Sequence, residues 1–189
     1  MRHFRVPNGI ASAPFAVVLD ANVLYPFVLR DTLLRAAQRR FYAPHWSQQI
    51  LEEATRNLVA NKQMSMANAA RLCSRLHSAF PESFVDNYEH LIEAMQNDPK
   101  DRHVAAVAVQ CRAQLIVTSN LRDFKSLPSG IEAQSPDDFL CDLYDLDPIE
   151  FKTLVVEQAS SYMRPSRAFA DVVDALEKTC PHFAALLRS

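Results

Sequence analysis

Glycine is nearly absent. The 189 residues hold two, Gly9 and Gly130, 121 positions apart. A Walker-type phosphate loop needs a close pair of glycines and a dinucleotide fingerprint a close trio, so both are excluded. The four cysteines (Cys73, Cys111, Cys141, Cys180) form no C-x-x-C pair, which removes a zinc knuckle and a thioredoxin motif. Scattered thiols in a chain this long suit a reducing compartment. No apolar run reaches the length of a membrane span, and MRHFRVPNGIASAPF lacks the apolar stretch of a secretory signal. Neither sign of charge dominates, with 20 basic and 22 acidic residues. The expectation is a cytoplasmic protein without membrane contact.

What is present is a globular composition, 49% hydrophobic and 22% charged. Residues 1–15 carry Pro7, Gly9 and Pro14 without periodicity and read as a lead-in. FAVVLD (15–20) and AQLIVTS (113–119) are short apolar runs typical of parallel strands buried on both faces. FYAP (41–44), SFVD (83–86) and IEAQS (131–135) are weaker strand candidates. Helical spacing appears over 28–39, after the capping Ser47, over 65–79, and briefly over 88–95. Asp98-Pro99-Lys100-Asp101 reads as a helix start, with Asp98 at the N-cap, Pro99 at N1 and Asp101 at N3. PDDFLCDLY (136–144) reads as a helix. From Asp147-Pro148 onward only amphipathic helical stretches follow, broken by Pro165 and Pro181. The expected fold class is α/β with a central parallel sheet over 16–145, plus a small C-terminal helical extension over 146–189.

Two buried strands end in polar residues: Asp20-Ala21-Asn22, and Thr118-Ser119-Asn120 with Asp123 three positions on. Ligands bind at the carboxyl ends of parallel strands, so these side chains converge on one sheet edge. Asp101 shares its helical face with Ala105 and Ala108, toward the sheet. Glu53 lies nearer the apolar stripe of its helix than Glu52 does, so Glu53 looks inward. Several inward carboxylates raise one another's pKa unless a cation compensates. Mg²⁺ or Mn²⁺ prefers such oxygen ligands and supports phosphodiester hydrolysis. Each acid taken alone also has a plain reading, as a cap, a helix-dipole partner or a solvated side chain. Their common placement is the argument.

Four strings carry a resemblance. VVLDANVLYP (17–26), SQQILEE (47–53), DPKDRHVAAVAV (98–109) and LIVTSNLRDF (115–124) resemble, in order, the motifs of PIN-domain ribonucleases. The resemblance implies a three-layer α/β/α fold and a Mg²⁺- or Mn²⁺-dependent endoribonuclease. It selects Asp20, Glu53, Asp101 and Asp123 as catalytic metal ligands. Asn22, Thr118, Asn120 and Asp98 become supporting residues, Asp98 as helper or cap. Many PIN proteins carry Asp where this chain has Asn120, so Asp123 supplies the fourth carboxylate. Cys111-Arg112-Ala113 stands where the family often has a glycine. The bacterial members most similar are VapC-type toxins of toxin–antitoxin pairs. This implies an RNA substrate, a cognate antitoxin protein covering the acidic pocket, and a possible homodimer.

An acidic pocket repels RNA, so cations must surround it. Arg102, Arg122, Lys125 and Arg30 are the candidate phosphate contacts. His103 beside Asp101 reads as a packing residue more readily than as a general base. The alternatives are a catalytically silent PIN scaffold binding RNA or protein, and a strand-end-Asp phosphotransferase. The first has no need to gather repelling acids. The second wants an acid where Asn22 stands. A flap-cleaving PIN-like nuclease would need more acids and an arch insertion.

Overall fold

A computed structural model of the chain describes residues 14–163 and 165–189. The expected lead-in over 1–15 thus lies outside the described residues except for Pro14 and Phe15. Four strands, β1 (Ala16–Leu19), β2 (Ala43–His45), β3 (Leu115–Val117) and β4 (Glu132–Gln134), form one parallel sheet in the order β2-β1-β3-β4. Val18 pairs with His45 on one side and Ile116 on the other. Val17, Val18, Leu19, Ile116 and Val117 are fully buried, as continuous β-branched runs require in a central strand covered on both faces.

Nine helices surround the sheet among the described residues: α1 (Ala21–Leu24), α2 (Phe27–Gln38), α3 (Gln48–Ala60), α4 (Met66–Ala79), α5 (Arg102–Gln110), α6 (Pro136–Leu146), α7 (Pro148–Ser161), α8 (Phe169–Glu177) and α9 (Pro181–Arg188). α2 carries the chain from β1 outward to β2, and α5 leads it back to β3 on the other side of β1. Right-handed crossovers in opposite directions put these helices on opposite faces, which gives three layers. Ser47 caps α3 by accepting from the Ile50 N–H at 3.3 Å, and Ser65 caps α4 from the Asn68 N–H at 3.2 Å.

Local corrections have simple causes. The strand expected over 83–86 is a single bridge, Trp46↔Phe84, because a 3-10 turn at Pro81–Ser83 leaves no length for a strand. Residues 89–94 form a 3-10 helix in place of α-turns. Asp101 lies in a 3-10 turn, Pro99–Asp101, and α5 begins one residue later. The short α1 was not expected; Asp20 starts it by accepting from the Ala21 N–H at 2.6 Å. With so few glycines, left-handed positions after α2, α3 and α5 fall to Arg40 (φ 62), Lys62 (φ 55) and Arg112 (φ 56). An L-residue pays roughly 1 kcal/mol for that conformation.

The C-terminal helices form a further layer. α7 lies antiparallel on α2, held by Arg39 to Glu150 at 2.8 Å and by an Arg39–Glu157 pair. Beneath these, the buried Thr32 hydroxyl donates to Gln158 Oε1 at 2.9 Å, and the Gln158 amide donates to the Val28 carbonyl at 3.2 Å. Phe151 and Phe183 meet edge-on at 5.5 Å between α7 and α9. No helix among the described residues is long and apolar enough to cross a membrane.

Candidate active site

β1 and β3 deliver Asp20 and Thr118 side by side at their carboxyl ends. The Asp20 N–H donates to the Val117 carbonyl at 3.1 Å, extending the strand pairing to the acid itself. The buried Thr118 hydroxyl donates to Asp20 Oδ2 at 2.7 Å. It accepts from Asn22 Nδ2 and from the Asn120 N–H, both at 3.0 Å. Asn22 also donates to Asp20 Oδ2 at 2.5 Å and accepts from the Ser119 N–H at 2.9 Å. Asp20 is 4% exposed. Burial raises its pKa above the usual carboxylate value; the Thr118 and Ala21 hydrogen bonds and the nearby His103 oppose that, and Glu53 adds to it.

The second half of the site comes from the 98–101 turn and the 120–124 loop, joined by the Asp98 N–H donating to the Asp123 carbonyl at 3.0 Å. Asp98 acts as the cap of its turn, accepting from the Lys100 N–H at 3.2 Å. Asp101 Oδ2 is buried and has no hydrogen-bond partner. Its pKa is pushed up to about 7, first by burial, then by the Asp20 charge and by a hydrogen bond to Asp123. Asp123 is held below the usual value, mainly by the Lys100 ammonium 2.6 Å away. Asn120 also donates to it.

Glu53 reaches the same neighbourhood from α3. Its carboxylate stands 3.5 Å from His103 Nε2, while Glu52 is exposed and holds Gln48. His103 is buried, and its Nδ1 lies 3.1 Å from the Lys100 carbonyl. Asp20 senses both Glu53 and His103, and Asp101 senses both Asp20 and Asp123. The four sequence-selected acids therefore form one electrostatic cluster. Among the described residues no group of three or more His, Cys, Asp or Glu side chains stands ready as a metal cage.

Two contacts escaped the sequence reading. Lys100, inside the helix-start string, is the cation on Asp123, and His103 is the neighbour of Glu53. Both sit within the 98–103 segment whose turn geometry the spacing misassigned. One phosphate candidate is corrected. Arg30 is 5% exposed and donates to the Leu24 and Tyr25 carbonyls at 2.6 and 3.3 Å, closing the end of α1. Its guanidinium is not offered to solvent. Arg122 and Lys125 are exposed beside Asp123, and Arg102 is half-buried, with Nε donating to the Asn97 carbonyl at 3.3 Å.

A parallel sheet with acids gathered at its carboxyl edge defines the class. Residues 16–122 match the family model of the PIN domain, and the chain belongs to that family. Residues 136–189 match the model of the VapC50 C-terminal domain. Over 109 residues the chain is 41% identical to a Mycobacterium tuberculosis protein named "Putative ribonuclease VapC50". That stretch covers 56% of this chain and 64% of that protein, less than two thirds of the relative's length. No solved structure gives a significant match.

Proposed function

We propose that the chain is a Mg²⁺- or Mn²⁺-dependent endoribonuclease that hydrolyses RNA phosphodiester bonds. In this reading it is the toxin of a toxin–antitoxin pair. The observation that carries it is Asp101 Oδ2, a buried carboxylate oxygen without a donor, set beside Asp20 and Asp123. A buried acceptor left unpaired is costly, and a cation answers it. The donor set fits a hard divalent ion: oxygen only, from Asp20, Glu53, Asp101 and Asp123. When bound, the ion supplies the positive charge that activates water and stabilises the leaving oxygen.

The protein's own residues do the rest. Thr118 and Asn22 fix the Asp20 carboxylate through hydrogen bonds to its Oδ2. Asn120 orients Asp123, and Asp98 shapes the turn that presents Asp101. Lys100 neutralises Asp123 where an incoming phosphate would meet it. Arg102, Arg122 and Lys125 flank the acids as phosphate contacts. We further propose a PIN-like nuclease body over 16–145, with α6 as the seat on which the 146–189 extension packs. A cytoplasmic location fits the four unpaired cysteines. A cognate antitoxin partner and a homodimer belong to the same proposal, from the resemblance to VapC-type toxins.

The test is cleavage of total cellular RNA by purified, antitoxin-free protein with Mg²⁺, Mn²⁺ or EDTA, beside an Asp20→Asn/Asp101→Asn variant. Discrete fragments that need metal and vanish in the variant are expected. Intact RNA in every lane from folded protein would overturn the reading in favour of a silent PIN scaffold binding RNA or a protein.

A further inference from the structure

The antiparallel docking of α7 on α2 brings the C-terminal extension to the acidic edge. α2 starts just past the carboxyl end of β1 and runs back toward the start of β2, so Phe27 stands at the same edge as Asp20. Arg39, past the end of α2, meets Glu150 at the start of α7. Asp31, near the start of α2, accepts from the Tyr162 hydroxyl at 2.8 Å, just past the end of α7. Tyr162 and Arg167, from the connection between α7 and α8, therefore stand beside Phe27.

What gathers there is aromatic and cationic. Phe27 is 51% exposed. Its ring lies 5.3 Å from that of Tyr162. Arg167 Cζ sits 5.9 Å from the Phe27 ring centre and 5.4 Å from that of Tyr162. Buried Arg30 flanks Phe27 at 5.7 Å. Arg167 makes no ion pair with a carboxylate among the described residues. Tyr162's hydroxyl is engaged by Asp31 and Gln158, so its ring rather than its hydroxyl is what remains to offer. If this contact served only to dock α8, burying Phe27 would be the favourable arrangement. An open aromatic ring beside a guanidinium without a carboxylate is instead the pairing that holds an unstacked base and its phosphate.

We propose that Phe27, Tyr162 and Arg167 form a platform for single-stranded RNA at the margin of the acidic cluster. Phe27 stacks a base, Tyr162 backs it, and Arg167 takes the adjacent phosphate. The platform rests on the ribonuclease reading and adds to it a role for the extension: affinity that four carboxylates cannot supply comes from the neighbouring layer.

The test uses the full chain carrying Asp20→Asn/Asp101→Asn and a fluorescein-labelled single-stranded RNA, followed by anisotropy across a salt series. Arg167→Gln should weaken binding several-fold and lower the salt slope by about one ion. Phe27→Leu should weaken it about tenfold. Phe27→Trp should retain binding and show indole quenching on titration, against the constant background of buried Trp46. Affinities within twofold of the parent for both Arg167→Gln and Phe27→Leu, with no quenching in Phe27→Trp, would overturn the platform. If the wild type cleaves RNA under those results, the platform alone fails. If the wild type neither binds nor cleaves RNA, the ribonuclease reading fails and the platform with it.

Discussion

Asp101 and Asp137 are the same residue type at two helix starts, and their surroundings are opposite. Asp137, in the first turn of α6, accepts from the Phe183 N–H at 2.9 Å, the His182 N–H at 3.2 Å and His182 Nδ1 at 2.7 Å. It thereby caps the first turn of α9, whose N–H groups have no partner within their own helix. Asp101 has a buried oxygen with no donor, and it shares its space with Asp20 and Asp123. At the α6–α9 joint both oxygens of the Asp137 carboxylate have donors, which favours the folded state. The sheet edge holds acids in positions that cost stability. Local inconsistency of this kind collects where a fold serves chemistry.

The contrast breaks most visibly in activity. Asp20→Asn/Asp101→Asn should reduce RNA cleavage more than about a hundredfold, beyond what loss of an outer partner of a metal usually costs. Its melting temperature in EDTA at pH 7.5, above the Asp101 pKa, should stay level or rise, because two crowded charges disappear. Cleavage assays and thermal melts on one preparation decide this, and a collapse in stability would make the acids structural. Asp137→Ala should do the reverse. It strands the buried Phe183 N–H on α9, with the more exposed His182 donors returning to water, and should cost about 1–2 kcal/mol, read by urea unfolding, with cleavage per folded molecule unchanged.

The sequence showed the sheet edge more clearly than the joint. VVLD and LIVT are continuous apolar runs ending in polar residues, so their pairing and the placement of Asp20 and Thr118 follow from strand physics alone. Glu53 was separable from Glu52 because helical phase differs by a full residue step. Asp101 was legible as inward-facing, but its 3-10 turn was not: Pro99 at N1 serves an α-helix or a 3-10 turn equally. Lys100 and His103 were missed because their partners, Asp123 and Glu53, lie far off in sequence. Arg30 misled for a related reason. A cation four residues into a helix looks solvated unless one knows that α1 ends beneath it with open carbonyls. The Asp137–His182 contact joins two helices 45 positions apart, and periodicity carries no such information.

A subtler test uses proton linkage at the acidic edge. Asp101 holds its proton up to about pH 7 in the folded chain, against the ordinary 3.8. The folded state then binds more protons than the unfolded one between those values, so this group makes stability fall as pH rises through that window. Metal-free protein should melt at a higher temperature at pH 5 than at pH 7.5 on this account, and Asp101→Asn should flatten the difference. Identical profiles for wild type and variant would show that the buried oxygen carries no such strain. Mg²⁺ should restore part of the loss at pH 7.5, since a ligand that prefers the folded state stabilises it.

The smallest expected effect probes the other side. Arg188 ends α9 with Asp174 Oδ1 at 2.8 Å and Glu177 Oε2 at 2.9 Å, a visible ion-pair cluster on the extension. All three side chains are well exposed, and exposed pairs contribute little after solvent screening and side-chain ordering. The last turns of α9 rest instead on Phe183, Ala184 and Leu187, each fully buried. Arg188→Ala should therefore move the melting temperature by no more than about 3 °C, with the shift shrinking further at high salt. Leu187→Ala should lower it several times more, through the cavity it leaves. If Arg188→Ala proved the worse of the two, the extension would be held by its charges, and the distinction between a satisfied joint and a strained edge would have to be redrawn around electrostatics in both.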